Sequence, residues 1–370
     1  MRSAPSVAWR RIRRRQLVLA FGAAALPALS DANASAAAAF PGKSWEQISL
    51  SDQSAACREG LAAAGSYLQT LATTALVAVR EGRIIFSYGP TEEVSVLASA
   101  RKSVLSMMYG KYVADGTIDL EQTLEEIGLD DIGGLLPIER EARVRDLLTA
   151  RSGVYHASSY PFGDNHASAP ARGSRRPSEY FLYSNWDFNA AGTVFERLTK
   201  KEIYAAFAED LANPLQFQDF DARLHQRTGD LKRSEHLAYP FFLSTRDMAR
   251  LGLLMLNEGS WNSRQLLPRD WVKTTTSLFT PSRDMHPPET ARRGVGYGYL
   301  WWVLEEAASS PLHGAYTAWG DFGQFILVIP KHGMVIAHKR KIPEFGAGKA
   351  RKVAITEFLR TARMIVAACS

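Results

Sequence analysis

The sequence contains very few cysteines. Cys57 and Cys369 are the only two among 370 residues, and they lie near opposite ends of the chain. Neither has the neighbours of a zinc-binding or redox motif, which excludes a cysteine-based metal centre or dithiol site. In an oxidising compartment the two thiols could form a disulfide if the first and last helices pack side by side, and two unpaired thiols are the alternative.

The patterns that organise two large classes of hydrolase are also missing. None of the eight histidines has the spacing of a zincin motif, and the sequence has no Gly-x-Ser-x-Gly turn. We therefore predict no metal site, no cofactor and no Ser-His-Asp triad. The chain does have 46% apolar residues, which is enough to bury a large globular core.

Excess positive charge is confined to the first 36 residues. The net charge is +6, and six arginines against the single acid Asp31 place five of those six charges before Ala37. Because the remaining chain is close to neutral, we predict no nucleic-acid partner for it.

The same basic segment has the organisation of a secretory signal. Residues 10–15 are rich in arginine, residues 16–30 are uncharged, and residues 31–36 contain an Ala-x-Ala site. We predict a signal peptide over residues 1–36 and a secreted or periplasmic protein with no stable membrane span once the signal is removed. Residues 14–18 resemble the twin-arginine pattern of proteins exported in the folded state. An uncleaved anchor is the alternative.

Strand patterns and helix patterns occupy different parts of the chain. Alternating or continuous apolar runs predict strands at 74–79, 83–88, 297–304, 316–319, 324–329 and 334–339. Apolar residues recur at helical spacing between the N-terminal and C-terminal groups of predicted strands and at both ends of the chain. The simplest packing is an α+β fold with one antiparallel sheet from both chain ends, flanked by helices, and a central all-helical region. We predict a sheet domain of residues 37–100 and 290–370, a helical domain of residues 101–289, and an active site between them.

A serine and a lysine stand three residues apart at the head of a predicted helix. From Lys102 onward, apolar residues recur at helical spacing until Gly116. Residues i and i+3 share a helix face, so the Lys102 amine can reach the Ser99 hydroxyl. A neutral lysine could then act as base for a serine nucleophile. The alternative is that Ser99 caps the helix and Lys102 is solvated.

Two further segments carry groups that such a nucleophile needs. Tyr183 and Asn185 form a Tyr-x-Asn before another predicted helix, where a phenol and an amide could assist proton transfer and substrate positioning. Trp319, Gly320 and Asp321 begin a glycine-rich turn, where a backbone N–H can approach an oxyanion. Each segment alone is also explained by a helix cap or a hairpin turn.

These motifs together resemble the serine β-lactamase-related hydrolases. That family includes class C β-lactamases, D-alanyl-D-alanine carboxypeptidases, esterases and 6-aminohexanoate-dimer hydrolases. The resemblance covers roughly residues 45 to 365 and is carried by the Ser-x-x-Lys, the Tyr-x-Asn, residues 145–153, the segment 244–256 and the strand 319–330. It implies the β-lactamase/transpeptidase-like form of the α+β fold. It also implies that the terminal helices lie together, which favours the disulfide.

The resemblance implies a role for each motif residue. Ser99 is expected to be the acylated nucleophile, with Lys102 and Tyr183 as the proton shuttle. Backbone N–H groups of Ser99 and Asp321 are expected to form the oxyanion hole. Five residues are expected to contact substrate, namely Asn185, Trp186, Trp319, Gly320 and His156.

One departure from the family pattern bears on the substrate. Where β-lactamases and carboxypeptidases have Lys-Thr-Gly or His-Thr-Gly, this chain has Ala318-Trp319-Gly320, without the cation that binds a substrate carboxylate. We therefore predict hydrolysis of small-molecule esters or non-strained amides, in the manner of an esterase or a 6-aminohexanoate-oligomer hydrolase. The alternatives are a β-lactamase or D-alanyl-D-alanine carboxypeptidase, and a non-catalytic ligand-binding sensor. The sequence does not indicate an oligomeric state.

Overall fold

The computed structural model describes residues 40–163, 165–342 and 350–370. The predicted signal peptide, residues 1–36, lies outside the described residues. The described residues form one compact unit, and the division into a sheet domain and a helical domain stays a prediction. Within the described ranges, no helix is both long and apolar enough to cross a membrane.

Eleven α-helices are assigned within the described residues. They are α1 (Ala55–Gln69), α2 (Arg101–Ala114), α3 (Leu124–Ile127), α4 (Pro137–Arg140), α5 (Val144–Leu148), α6 (Asn185–Thr199), α7 (Ile203–Phe207), α8 (Thr245–Leu256), α9 (Arg269–Thr276), α10 (Pro288–Ala291) and α11 (Ile355–Cys369). Most of them lie in the central part of the chain, as predicted.

The strands are concentrated at the two ends of the described chain. They are β1 (Ala75–Arg80), β2 (Arg83–Tyr88), β3 (Ser95–Val96), β4 (Phe181–Leu182), β5 (Phe242–Leu243), β6 (Ser260–Trp261), β7 (Arg264–Gln265), β8 (Met285–His286), β9 (Val295–Tyr297), β10 (Trp302–Leu304), β11 (Tyr316–Gly320), β12 (Gln324–Ile329) and β13 (Met334–Lys339). The two-residue strands β4 to β8 add short ribbons to the mainly helical central region.

Seven strands form one antiparallel sheet that joins the two ends of the chain. Its order is β2-β1-β13-β12-β11-β10-β9. The N-terminal hairpin is attached to the last strand, with Ala75 opposite Lys339 and Arg80 opposite Met334. All six residues of β12 are buried, which agrees with their continuous apolar run. The predicted sheet built from both chain ends, and with it the α+β fold, is confirmed.

Helices cover both faces of this sheet. On one face, α8 lies so close that a Cβ on Gly252 would come within 2.4 Å of Val335. On the other face, Phe358 of α11 stacks on Phe325 at 4.3 Å between ring centroids. Such close packing buries apolar surface on both sides and holds the strand ends that carry the candidate site.

The first and last helices pack directly against each other. A Cβ on Gly60 of α1 would lie 2.0 Å from the Cβ of Ala368 in α11, so the helices approach more closely than larger residues permit. Cys57 and Cys369 form a disulfide across this contact. Of the two possibilities that the sequence left open, the structure contains the disulfide.

Removing the disulfide is expected to destabilise the protein without abolishing its fold. The bond closes a loop of 312 residues, and loss of such a cross-link typically costs about 2–5 kcal/mol. The double variant Cys57→Ser/Cys369→Ser should therefore unfold at lower urea concentration than the oxidised wild type. Reduced wild type should match the variant. Equal midpoints for oxidised and reduced protein would contradict this expectation.

One predicted strand is divided in the structure. The apolar run at residues 297–304 becomes β9 and β10, because the N–H of Gly298 donates to the carbonyl of Trp301 at 2.8 Å and closes a turn. Leu300 adopts a positive φ of 63° within this turn. The continuous apolar pattern did not reveal the reversal, since every residue from 295 to 302 is buried.

Candidate active site

Ser99 lies on a tight turn between β3 and α2. The short 3-10 helix Ala98–Ala100 places it immediately before the first residue of α2. The N–H of Leu97 donates to the carbonyl of Phe241 at 2.8 Å and fixes the start of the turn. Ala98 has a positive φ of 47°, which is uncommon for a residue with a side chain. The turn leaves Ala98 and Ser99 partly exposed, whereas Leu97 and Ala100 are buried.

Lys102 connects the two sequence motifs. Its side chain is 1% exposed. Its Nζ lies 3.0 Å from Ser99 Oγ, 2.7 Å from the hydroxyl of Tyr183 and 2.8 Å from Oδ1 of Asn185. An ammonium has three N–H donors, and these three oxygens match them. In the neutral amine, two donors suffice for Tyr183 and Asn185, and the lone pair can accept the Ser99 hydroxyl proton.

Aromatic rings surround the lysine amine. Nζ lies 4.1 Å from the ring centroid of Tyr183 and 4.2 Å from that of Phe188. A cation beside two ring faces is stabilised by their quadrupoles. The low exposure of Lys102 agrees with this enclosure by the rings. Lys102 is therefore held in one position relative to Ser99, as a general base must be.

Tyr183 is a neutral phenol at ordinary pH. Burial raises the pKa of Tyr183 to about 12, although a hydrogen bond with Ser99 and the positive charges of Arg101 and Arg293 oppose the rise. Because the hydroxyl remains protonated near pH 7, it can pass on a proton but does not act as a phenolate base. Its 2.7 Å contact with Lys102 is the geometry that the expected proton shuttle needs.

Asn185 holds the lysine and an adjoining loop. It is the first residue of α6, whose N-terminus is capped by Ser184. Its Oδ1 accepts from Lys102, and its Nδ2 donates to the carbonyls of Tyr160 at 3.1 Å and Phe162 at 2.9 Å. The amide thus links the catalytic cluster to the long loop that follows α5. This geometry supports a positioning role for Asn185, and its predicted contact with substrate stays a prediction.

Gly320 brings the end of β11 against the Ser99 turn. A Cβ at Gly320 would lie 2.2 Å from the carbonyl oxygen of Leu97 and 3.0 Å from the backbone nitrogen of Ala100. These two atoms belong to the residues that flank the 98–99 segment. The backbone of Asp321, the next residue, therefore follows a strand end that is packed against the Ser99 turn. The expected oxyanion hole of the Ser99 and Asp321 N–H groups stays a prediction.

The turn that carries Asp321 is supported by a side chain from β13, two strands away from β11 in the sheet. His338 of β13 donates from Nδ1 to the carbonyl of Gly323 at 2.7 Å, and its Nε2 lies 3.0 Å from the hydroxyl of Thr73. Burial lowers the pKa of His338 to about 4, so the ring is neutral with one donor and one acceptor. The Asp321 carboxylate pairs with Lys352 at 2.7 Å. His338 is not among the residues predicted from the sequence, because a lone histidine in a strand gives no signal of this contact.

Two of the predicted substrate contacts lie in the packing behind the cluster. Trp186 is fully buried, and its indole N–H donates to Asp131 at 2.7 Å. His156 is also buried and lies 3.4 Å from the same carboxylate. Neither side chain presents a surface to a ligand in this conformation, so their positions give no support to the predicted contacts. Trp319, by contrast, is half-buried beside the Gly320 turn.

Replacing Gly320 with alanine is expected to impair the site severely. The new methyl group would overlap the Leu97 carbonyl and push β11 away from the Ser99 turn. Loss of one oxyanion donor typically lowers kcat by roughly 100-fold or more. The matched control is Gly42→Ala, because a Cβ at Gly42 meets no atom within 4 Å. Steady-state ester hydrolysis by the two folded variants checks the prediction, and equal rates would contradict it.

Among the described residues, no group of histidine, cysteine, aspartate and glutamate side chains is arranged to hold a metal ion. The side chains around Ser99 are an amine, a phenol and an amide, which are suited to proton transfer.

Comparison with known sequences identifies relatives. The sequence profile described as Beta-lactamase matches residues 62–349. An uncharacterized protein of Alkalihalophilus pseudofirmus is 21% identical over 278 residues, which cover 68% of this chain and 74% of that protein. Monacolin J acid methylbutanoyltransferase of Aspergillus terreus is 26% identical over 166 residues, which cover 37% of this chain and 40% of the transferase.

Solved structures share the fold at low sequence identity. A Bacillus anthracis protein assigned as a 6-aminohexanoate-dimer hydrolase has a TM-score of 0.60 at 17% identity, covering 81% of this chain and 80% of that one. The hydrolase EstCE1, which has promiscuous acyltransferase activity, has a TM-score of 0.57 at 15% identity, covering 85% and 98%. A penicillin-binding protein homologue from Caulobacter crescentus has a TM-score of 0.60 at 14% identity, covering 85% and 97%. The profile match spans most of the chain, and the protein therefore belongs to the Beta-lactamase family of serine β-lactamase-related hydrolases.

Proposed function

We propose that the protein is a serine hydrolase that forms an acyl-enzyme on Ser99 and cleaves small-molecule esters or non-strained amides. The observation that carries the proposal is the position of the buried Lys102 amine, within hydrogen-bond distance of both Ser99 Oγ and the Tyr183 hydroxyl. A serine hydroxyl becomes an effective nucleophile only beside such a base.

The first half of the reaction acylates the enzyme. Neutral Lys102 accepts the Ser99 proton as Oγ attacks the substrate carbonyl carbon, and the resulting oxyanion receives hydrogen bonds from the N–H groups of Ser99 and Asp321. Collapse of this intermediate breaks the bond to the leaving group. The proton held by Lys102 passes through the Tyr183 hydroxyl to the departing oxygen or nitrogen. Ser99 is left as an ester, and Lys102 is neutral again.

The second half releases the acyl group. Water attacks the Ser99 ester while the Lys102–Tyr183 pair accepts its proton, and the same backbone donors stabilise the second oxyanion. Return of the proton to Ser99 Oγ restores the enzyme. The two side-chain hydroxyls that take part in these proton transfers, those of Ser99 and Tyr183, lie within 3.0 Å of Lys102 Nζ.

The β11 sequence favours esters and ordinary amides over β-lactams. Ala318, at the position of the family lysine, is fully buried in the sheet and offers no charge to a ligand. Related proteins named as a 6-aminohexanoate-dimer hydrolase and as the hydrolase EstCE1 are compatible with this substrate class.

A substrate panel tests the proposal. We expect 4-nitrophenyl butyrate to be hydrolysed with a higher kcat/KM than a chromogenic cephalosporin. Faster turnover of the cephalosporin would favour the β-lactamase or carboxypeptidase alternative. No turnover of either compound, together with reversible binding of a ligand, would favour the non-catalytic sensor.

Acyl transfer is a second candidate activity. The observation in its favour is that two similar proteins are named for acyl transfer, namely the methylbutanoyltransferase and EstCE1. An acyl-enzyme can pass its acyl group to an alcohol as well as to water. Adding a primary alcohol during ester turnover should then yield the new ester, and exclusive formation of the free acid would rule out transfer to that acceptor.

A further inference from the structure

Arg293 carries a positive charge beside the candidate active site. It lies between α10 and β9, where its N–H donates to the carbonyl of Thr290 at 3.1 Å, and it is exposed. Its guanidinium carbon lies 5.2 Å from the centroid of the Trp319 ring. Attraction between a cation and an indole face holds the guanidinium on this wall of the site.

Trp319 places the guanidinium near the nucleophile. The next residue, Gly320, is in close contact with Leu97 and Ala100 on both sides of the Ser99 turn. The Trp319 ring lies 5.0 Å from the Trp302 ring, which in turn lies 5.4 Å from the Tyr183 ring.

A separate chain of contacts ties Arg293 to Tyr183. The N–H of Asn165 donates to the Tyr183 carbonyl at 2.9 Å, and the Asn165 side chain donates to the Thr290 hydroxyl at 3.0 Å. Arg293 is three residues further along. The Arg293 charge acts on the Tyr183 hydroxyl. Burial raises the pKa of Tyr183 to about 12, and the positive charge of Arg293 is one of the effects that oppose this rise.

The neighbouring charges are paired, whereas that of Arg293 is not paired within the described chain. Arg292 forms an ion pair with Glu289 at 2.6 Å, and Asp321 forms one with Lys352 at 2.7 Å. Among the described residues, no carboxylate forms an ion pair with Arg293. Arg293 is thus an exposed cation that no described carboxylate neutralises.

We propose that Arg293 binds a carboxylate of the substrate. The proposal rests on the proposed hydrolase function and specifies its substrate class as esters or amides that carry a second, anionic carboxyl group. A guanidinium can form two parallel hydrogen bonds with such a group. The cation missing at Ala318 is then supplied by a different element, so that acyclic esters and amides with a carboxylate can bind although Ala318 carries no charge.

Two matched pairs of esters test this specificity. The first pair places the charge on the acyl side, 4-nitrophenyl pentanoate against mono-4-nitrophenyl glutarate. The second places it on the leaving group, phenyl acetate against 4-acetoxybenzoate. For at least one pair, we expect Arg293→Gln to lower the ratio of kcat/KM for the charged over the neutral ester by roughly tenfold. Arg293→Glu should lower it further, and added salt should reduce the wild-type ratio because the site is exposed.

The control is Arg292→Gln, which removes the same charge from the adjacent residue and should leave both ratios unchanged. Ratios that are equal in wild type and Arg293→Gln for both pairs would overturn the proposal. That result differs from failure of the proposed function, in which neither neutral ester is hydrolysed and Ser99 is not acylated. An equal fall of the kcat/KM ratio in Arg292→Gln would show that only long-range electrostatic attraction favours the charged ester. That result would also overturn the proposed contact between Arg293 and the substrate carboxylate.

Discussion

Replacing Lys102 with methionine is expected to lower kcat for ester hydrolysis by roughly 1,000-fold or more, as removal of the base in other serine nucleophile systems does. Methionine keeps the length and apolar stem of the lysine but has no amine to accept the Ser99 proton. Because the amine also holds Tyr183 and Asn185, the variant loses the proton relay together with the base. The loss should fall mainly on kcat, since Lys102 is buried behind Ser99.

The matched control for this variant is Lys111→Met on the same helix. Lys111 is exposed and pairs with Asp210 at 2.7 Å, and an exposed ion pair contributes little to stability. Circular dichroism and urea unfolding of both variants separate catalysis from folding. A folded Lys102→Met protein with wild-type kcat would exclude Lys102 as the base, and a similar loss in Lys111→Met would show that the effect is not specific.

Replacing Tyr183 with phenylalanine is expected to lower kcat by roughly 100-fold or more, which is the usual contribution of a positioned acid or base. The ring and its packing against Phe188 and Trp302 are retained, whereas the hydroxyl that relays the proton is lost. The effect should be smaller for esters with good leaving groups such as nitrophenolate, because they need little protonation. A comparison of 4-nitrophenyl and ethyl esters measures this difference.

Tyr204→Phe is the control for loss of a buried hydroxyl. The Tyr204 hydroxyl lies on α7 and has no hydrogen-bond partner among the described residues. This variant should retain wild-type activity toward both ester types. Equal losses with both esters in Tyr183→Phe would contradict the relay and would favour a purely positioning role for the hydroxyl.

The pH dependence of the wild type follows from the state of Tyr183. Its pKa is raised to about 12 by burial, from an ordinary value near 10. The phenol therefore stays protonated as the pH rises through 10, and activity that depends on it is lost only as the pH approaches 12. Any decline of kcat at lower pH must arise from another group or from unfolding.

The local part of the site was predictable from the sequence, and the distant part was not. Ser99 and Lys102 are three residues apart, so helix geometry alone brings them together. Tyr183 is 81 residues from Lys102, so its motif alone did not show that the two lie together, and the family resemblance implied it. The contacts of His338 and Arg293 form only when strands and loops distant in sequence assemble, and no local pattern marks them.

The sequence did not reveal in which direction the side chains of the predicted substrate-contact residues point. Trp186 follows Asn185 directly, yet consecutive helix residues point about 100° apart. Asn185 consequently faces Lys102, whereas Trp186 faces Asp131 in the interior. The sheet was easier to predict, because the side-chain pattern of a β-strand repeats every two residues and shows in a short segment. The observed bounds of β2, β12 and β13 equal those predicted from their apolar runs.

Labelling with a fluorophosphonate probe followed by mass spectrometry shows whether Ser99 is a nucleophile activated by Lys102, because the probe phosphonylates only an activated serine. We expect one adduct on the peptide that contains Ser99, no adduct in Ser99→Ala, and labelling slowed at least tenfold in Lys102→Met, in line with loss of the base. Absence of the adduct on Ser99 in the folded wild type, or an equal labelling rate in Lys102→Met, would show that Ser99 is not activated in this way.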